Sequence, residues 1–584
     1  MCGIVAYIGK NNNPLIGLEA LKRLEYRGYD SAGMAVYDSQ KENIFTLKAV
    51  GKIVNLEKKL SQTNLPQGSP FLFYTRWATH GKVSEKNCHP HTDCQKNIYI
   101  IHNGIIENYQ PLKEKLIEKG HKFTSETDSE VLAHLIEHFF KNNLEEAVRK
   151  ALSYVKGTYA LAVISKKDPD KLILARNSAP LLIGLAENEY LAASDPSAVI
   201  THTKKVIYLD DKEMAVLSKS QFFIENLNRD KIEKKVHQID WDIEEAQKGG
   251  YPYFMLKEIM EQPQSIANSL RGRLVFDFGT AKLGGVETVK EKLKKIEGIK
   301  IIACGTSYYS GLIGKYMLEE YAGIPTEVDF ASEFRYRKPV IKKNTAVIFI
   351  SQSGETADTL AALKEVKEKK IELALGIVNV VGSSIARETN AGIYNHAGPE
   401  IGVASTKAFT SQLAVLALLT LFLGRQREIS LVMGQRIVKE LLKMPKIVEK
   451  VLAESSQIEL LAKKYKDCPN FLFIGRKYNY PVALEGALKL KEISYLQAHA
   501  YPAGEMKHGP IALIDKDFPV LALVPSDSVY QKVISNIEEI KARKGKILAI
   551  ASEGNKKIKN IADDVFYIPK TLEMLTPIIS IIPL

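Results

Sequence analysis

At 584 residues, with 45% hydrophobic and 25% charged side chains, the chain has a globular balance and outgrows a single core, which excludes a disordered or fibrous protein and predicts two to four domains. Its formal charge of +12 is scattered through amphipathic stretches such as 286–299 and 532–547 without interleaved aromatics, which argues against nucleic-acid binding and suits anionic small substrates equally well. Five cysteines without a framework of close spacings argue for a reducing compartment, hence the cytoplasm, and the opening Met-Cys-Gly runs into IVAYIG without the flanks of a signal peptide.

Residues 1–240 read as short β-rich runs (FLFYTRWAT, NIYIIHNG, TYALAVIS, KLILARN, EYLAASD) interrupted by amphipathic helices near 108–119 and 128–140, the pattern of sheets with helices packed outside. Cys2 becomes the first residue if the initiator methionine is removed. Its α-amino group, with a pKa of about 7.7–8.0, can then act as the base for its own thiol. A cysteine in a terminal strand also reads as a small buried hydrophobe. What favours chemistry is its company: LEYRGYDSAG (24–33), YTRWATHG (74–81), HNGIIENY (102–109) and TDSEVLAHL (127–135) place polar groups or glycine after strands or before helices. Arg76 suits a substrate carboxylate and Asp128 a substrate ammonium, and the Asn103 amide with the Gly104 N–H suits an oxyanion. Together they describe an amino-acid amide substrate. NCHPHTDC (87–94) gathers Cys88, His89, His91 and Cys94, which superficially suggests zinc, but the spacing lacks separate ligand pairs and the expectation is no metal.

Around 238–255, acidic residues and Gly249-Gly250 mark a boundary, with a linker and lead-in helix over 241–284. Beyond it, apolar strands alternate with long helices: KIIACG then 308–322, TAVIFIS then 356–369, ELALGIVNV then 405–423. That alternation predicts α/β architecture with a doubly wound parallel sheet and ligands at the strand C-termini. Ala408 to Leu423 is too short and too polar at its start to span a bilayer, so it is expected to be a buried core helix and no membrane span is expected. The style recurs from about 470, with Gly305 matched by Gly475 and Glu333 by Glu505, so two copies are expected, over 285–427 and 428–584.

Ser351-Gln352-Ser353-Gly354-Glu355-Thr356 follows one strand and opens a helix, an anion cradle of hydroxyls and backbone N–H groups. Cys304-Gly305-Thr306-Ser307 and Val403-Ala404-Ser405-Thr406-Lys407 repeat the arrangement, although each by itself is also ordinary helix capping. In ALEGALKLKEIS (483–494), Glu485, Lys489 and Glu492 share a helix face, either as a solvated ion pair or as a charged face in a cleft. Moving a carbonyl between C1 and C2 of a sugar needs a proton-shuttling carboxylate, and ring opening needs another acid/base group; Glu492 and His508 suit those tasks.

The segments of 1–240 resemble, in order, class II glutamine amidotransferase domains, whose mature chains start Cys-Gly-Ile. The resemblance implies an N-terminal-nucleophile αββα sandwich with Cys2 as nucleophile and Asn103 and Gly104 at the oxyanion. It implies glutamine bound by Arg76, Trp77, Thr79, His80 and Asp128, with Trp77 in the loop that closes over the site. The second half resembles the sugar isomerase (SIS) fold in tandem. There it implies that Ser351, Gln352, Ser353 and Thr356 take the phosphate and that Thr306 and Ser405 contact the sugar, with Cys304, Gly305, Ser307 and Val403 in the same loops and no role for Lys407. LEGALKLKEISY and AGEMKHGP resemble the isomerase domain of the glutamine:fructose-6-phosphate aminotransferase family, which makes glucosamine 6-phosphate from glutamine and fructose 6-phosphate without metal or organic cofactor. That resemblance adds Glu485, Lys489, Glu492 and His508 as the catalytic set, an internal route for ammonia, and a homodimer sharing the sugar site.

The family continues beyond the position of Pro583-Leu584 with a helix and a tail carrying an imine-forming lysine, so this chain alone is expected to hydrolyse glutamine and make little amino sugar. His499 stands where relatives often have an acid, and 205–240 lacks the long insertion of eukaryotic members, which favours a prokaryotic type and disfavours feedback regulation. Two other readings stay open: a sugar-phosphate-binding regulator, and an amidotransferase acting on another sugar phosphate.

Overall fold

In the strand Gly3–Gly9, Ile4, Ala6 and Ile8 enter one core while Val5 and Tyr7 enter another, because successive side chains take opposite faces; the strand therefore has apolar layers on both sides. A computed structural model of the protein describes residues 2–239 and 248–584, which fall into two units, Met1–Gln247 and Lys248–Leu584. The boundary expected at 240 and the first residues of the expected linker, 241–247, lie outside the described residues.

The first unit stacks an eight-stranded and a six-stranded antiparallel sheet. Ile4 and Tyr74 of one sheet meet Ile101 and Ala162 of the other. Helices Leu15–Lys22 and Ile53–Ser61 cover the outside of the first sheet, and Tyr109–Glu118, Glu130–Phe139 and Leu144–Leu152 the outside of the second. This is the αββα sandwich that the resemblance implies. Gly3–Gly9 pairs antiparallel with Phe71–Arg76, Gly3 opposite Thr75, which brings Cys2 beside the loop that follows Arg76.

In the second unit, two parallel sheets of five strands share one order, second-first-third-fourth-fifth. Gly298–Ala303 lies between Thr326–Phe330 and Thr345–Ser351, followed by Ala374–Val378 and Ala391–Tyr394. Asn470–Gly475 lies between Gln497–Pro502 and Pro519–Val524, followed by Lys546–Ser552 and Asp564–Ile568. Glu333 and Glu505 both sit in a short helix after the second strand of their sheet, as the duplication predicts. Ile301 and Ile348 face a core shared with the second sheet's Phe473 and Leu523, whereas Ile302 and Phe349 face the opposite side, so the first sheet is covered on both faces. Every residue of Lys407–Gly424 is buried in that shared core, which accounts for its apolar surface all round.

From Lys248 onward the expected linker is folded into the second unit: Ile266 and Leu270 of helix Gln262–Leu270 join the shared core. Past the division expected at 427/428, Ile437, Leu441 and Met444 of helix Leu431–Ala453 also join the shared core.

Candidate functional sites

The Cys2 thiol lies where the first strand meets the turn after Arg76. Trp77 N–H donates to Sγ at 3.2 Å, and Sγ lies 3.4 Å from the Trp77 carbonyl. Asn103, on the adjacent sheet, donates from Nδ2 to the Cys2 carbonyl at 2.8 Å, while its buried Oδ1 has no hydrogen-bond partner among the described residues. Next to it, Gly104 has φ +133°, and a Cβ there would lie 2.1 Å from the Thr158 carbonyl oxygen, so only glycine fits.

Arg76 is 3% exposed and its guanidinium holds the carbonyls of His80 and Gly81, so it braces the 77–82 loop. In that loop Trp77 is exposed and packs edge-on against Tyr29, while Thr79 Oγ1 lies 3.3 Å from His80 Nδ1. Asp128 accepts the Ile106 N–H at 2.8 Å, and its other oxygen lies 4.0 Å from His80 Nδ1. The structure thus gathers Cys2, Arg76, His80, Asn103 and Asp128 from four separated segments.

Several supporting residues carry no role in the sequence reading. Asp30 accepts the Ala78 N–H at 2.8 Å and so anchors the loop from the strand side; its signal was its place in LEYRGYDSAG. His102 Nδ1 and Ser129 Oγ are hydrogen-bonded at 2.8 Å, and burial pushes the His102 pKa down. The NCHPHTDC histidines pack internally: His89 lies against Tyr74 with ring centroids 4.1 Å apart, tilted by 34°, and His91 bonds Thr127 at 3.0 Å. Cys88 is buried, whereas Cys94 points away to other partners, so these four residues do not form the cluster their spacing suggests.

In the second unit the hydroxyl cradle forms at the C-terminal end of Thr345–Ser351 and the start of helix Ala357–Glu368. Ser351 Oγ and Thr356 Oγ1 are 2.8 Å apart, Ser351 Oγ accepts the Gly354 N–H at 3.0 Å, and Ser353 Oγ accepts the Glu355 N–H at 3.1 Å. Gln352 is half-buried beside them, and its carbonyl accepts the Asn379 N–H at 3.1 Å. Gly354 has φ +66°, and a Cβ there would lie 2.0 Å from Ser383 Oγ. Cys304 caps helix Gly305–Ala322, whose Ser307 Oγ accepts from Gln412 at 3.0 Å. Ser405 donates to Glu400 at 2.7 Å, next to the exposed Val403. Lys407, without a role in sequence, is buried and paired with Glu261 at 2.7 Å, tying the lead-in helices to the core helix.

Helix Asn479–Ser494 carries the charged face expected of it. Lys489 Nζ lies 3.3 Å from Glu485 and 2.6 Å from Glu492, and it donates to Thr306 at 3.2 Å, while Thr306 donates to Glu485 at 2.9 Å. The triad therefore joins the second copy to the first helix of the first copy. Burial pushes the Glu485 carboxyl up to about 7 against the pull of Lys489 and Thr306. His508, at the end of the short helix Ala503–His508, is exposed and has no hydrogen bond or ion pair to this triad among the described residues.

An SIS domain family model matches residues 292–422 and 464–584, and a glutamine amidotransferase domain model matches 76–201. A protein of Chlorobaculum tepidum named glutamine–fructose-6-phosphate aminotransferase (isomerizing) is 50% identical over 590 residues, which cover 100% of this chain and 95% of that protein. Its namesake in Thermus thermophilus is 47% identical over 585 residues, with the same 100% and 95% coverage. The solved C-terminal domain of glucosamine-fructose-6-phosphate aminotransferase from Francisella tularensis superposes with a TM-score of 0.56 at 40% identity, over 58% of this chain and 95% of that one. With identity of this order along its whole length, and both domain types in the matching order, the chain belongs to the family of isomerizing glutamine–fructose-6-phosphate aminotransferases.

Proposed function

We propose that this protein releases ammonia from glutamine at Cys2 and transfers it to fructose 6-phosphate with ketose-to-aldose isomerisation, giving glutamate and glucosamine 6-phosphate. The observation that carries the reading is the Cys2 thiol held by the Trp77 N–H beside Asn103, in a chain whose full-length relatives bear the aminotransferase name. Once Met1 is removed, the Cys2 amino group takes the thiol proton and Sγ attacks the glutamine amide carbon. The Asn103 Nδ2–H and the Gly104 N–H receive the oxyanion; the Cys2 ammonium gives its proton to the leaving nitrogen as collapse expels ammonia and leaves a thioester, which water hydrolyses to glutamate and the free thiol. Arg76 and Asp128 hold the substrate's carboxylate and ammonium, under the loop of Trp77, Thr79 and His80.

In the acceptor half, the cradle of Ser351, Gln352, Ser353 and Thr356 binds the phosphate, and Thr306 and Ser405 face the sugar. Glu485, Lys489 and Glu492 serve proton transfer, and His508, exposed on its own chain, serves a site completed in a homodimer. The reading needs no organic cofactor, nucleic acid or membrane, and places the enzyme in the cytoplasm. Incubating the full-length protein with glutamine and fructose 6-phosphate should yield glutamate and amino sugar in equal amounts; glutamate without amino sugar refutes the transfer.

A narrower expectation concerns the cradle. Gly354→Ala combines a positive φ with a clash at Ser383, and should weaken fructose 6-phosphate binding by about tenfold or more, measured by titration calorimetry. Glutamine hydrolysis should keep its rate, and an unchanged affinity would remove the cradle from the phosphate site.

A further inference from the structure

Cys94, dismissed as a ligand when read with Cys88, His89 and His91, finds other company in three dimensions. It sits in the turn before Ile98–Ile106, facing His121 beyond helix Tyr109–Glu118 and the pair His134 and Glu137, one turn apart on helix Glu130–Phe139. One ligand atom from each of the four lies within 4.8 Å of all the others. Cys94 Sγ is 3.4 Å from His134 Nδ1 and 3.7 Å from His121 Nδ1, and Glu137 Oε2 is 3.2 Å and 2.8 Å from the same two nitrogens. Ligand bonds of 2.0–2.3 Å in a tetrahedron give ligand–ligand edges of about 3.3–3.8 Å; the four distances above, 2.8–3.7 Å, lie within about half an ångström of that range, and the remaining two stay within 4.8 Å.

We propose that Cys94, His121, His134 and Glu137 form a structural zinc site. Two neutral imidazoles, a thiolate and a carboxylate balance the charge of Zn²⁺, and the mixed sulfur–nitrogen–oxygen set excludes magnesium and calcium, which take oxygen ligands. Supporting groups are in place around the ligands. The Lys122 N–H donates to Cys94 Sγ at 3.3 Å, which favours a thiolate. His134, 1% exposed, turns its other nitrogen towards Glu130 at 3.6 Å, a carboxylate that a small shift would bring into hydrogen-bond range of a metal-bound imidazole. Glu130 is itself held by the N–H groups of Thr124 and Ser125. With four protein ligands the site is closed to substrate, so its role is to pin the 119–129 segment, which ends at Asp128, assigned above to glutamine, and at Ser129, the partner of His102.

The test is metal analysis of the full-length protein purified from zinc-supplemented cells. About one zinc per chain is expected in the parent protein and in Cys468→Ser, falling at least about fivefold in Cys94→Ser and in Glu137→Gln. Cobalt(II) added to the metal-free parent should give the visible bands of a tetrahedral site, with a thiolate charge-transfer band that Cys94→Ser abolishes. A chelator should lower the thermal midpoint of the parent but not of Cys94→Ser. A parent chain that binds neither metal at stoichiometry, or variants that retain full occupancy, would overturn the proposal.

Discussion

Replacing Cys2 with alanine is expected to lower glutamine hydrolysis on the order of 10⁴-fold or more, because it removes the nucleophile and leaves only substrate binding and oxyanion contacts. The fold should survive. The hydrogen bonds of Sγ in the structure both involve the Trp77 backbone, and Cys2 lies at the edge of the core that Ile4, Ala6 and Ile8 fill. Cys2→Ser should be nearly as inactive, since a hydroxyl beside an amine of pKa about 8 is a far weaker nucleophile than a thiol. Glutamate release over time, with circular dichroism as a control for folding, decides the matter. Hydrolysis within tenfold of the parent would refute the assignment. Because the amino group is the proposed base, the mass of the active protein should also lack the initiator methionine.

Lys489→Met should destabilise the second unit by about 3–5 kcal/mol, the usual cost of removing one partner from a buried ion pair. It leaves Glu485, 1% exposed, and Glu492 facing one another without their shared cation. Glu485 is expected at about 4.5 in the unfolded chain and about 7 in the folded one. The folded state therefore binds more protons between those values, and the parent loses stability as pH rises from about 5 to about 7. Lys489, attracted by two carboxylates, keeps its charge throughout, whereas Glu485 shares that one cation. Without the lysine Glu485 protonates more readily still, so the penalty should be smallest near pH 5 and largest near pH 8. Glu485→Gln should flatten the parent's pH dependence over the same window, since the amide oxygen can still accept from Thr306. Urea unfolding at pH 5 and pH 8 measures both. A Lys489→Met penalty equal at the two values would show that the burial of Glu485 is not the cause.

The helices expected at 308–322, 356–369 and 405–423 form as Gly305–Ala322, Ala357–Glu368 and Lys407–Gly424, because apolar periodicity and flanking hydroxyls are local properties of the chain. The repeated alternation of strand and helix was legible for the same reason, whereas the strand order of each sheet came only from the fold. Contacts such as Lys407 with Glu261 or Thr306 with Glu485 were not, since their partners are 146 and 179 residues apart and no local pattern encodes their meeting. The same holds beyond the expected boundary: Gly249-Gly250 signals a turn, but no local pattern shows that Ile266, in the lead-in helix after it, packs into the shared core.

Cys2 shows where the two kinds of information divide. The amino-acid order alone supplied its chemistry, a thiol and an amine on one residue, and the four segments that accompany it, because functional groups and spacing are written along the chain. Only the tertiary structure decided that Asp30 steadies the loop beside it, that Arg76 braces that loop, and that Cys94 leaves Cys88 and His89 for His121, His134 and Glu137. Those outcomes follow from sheet pairing and helix packing, which bring together residues that no one-dimensional spacing relates.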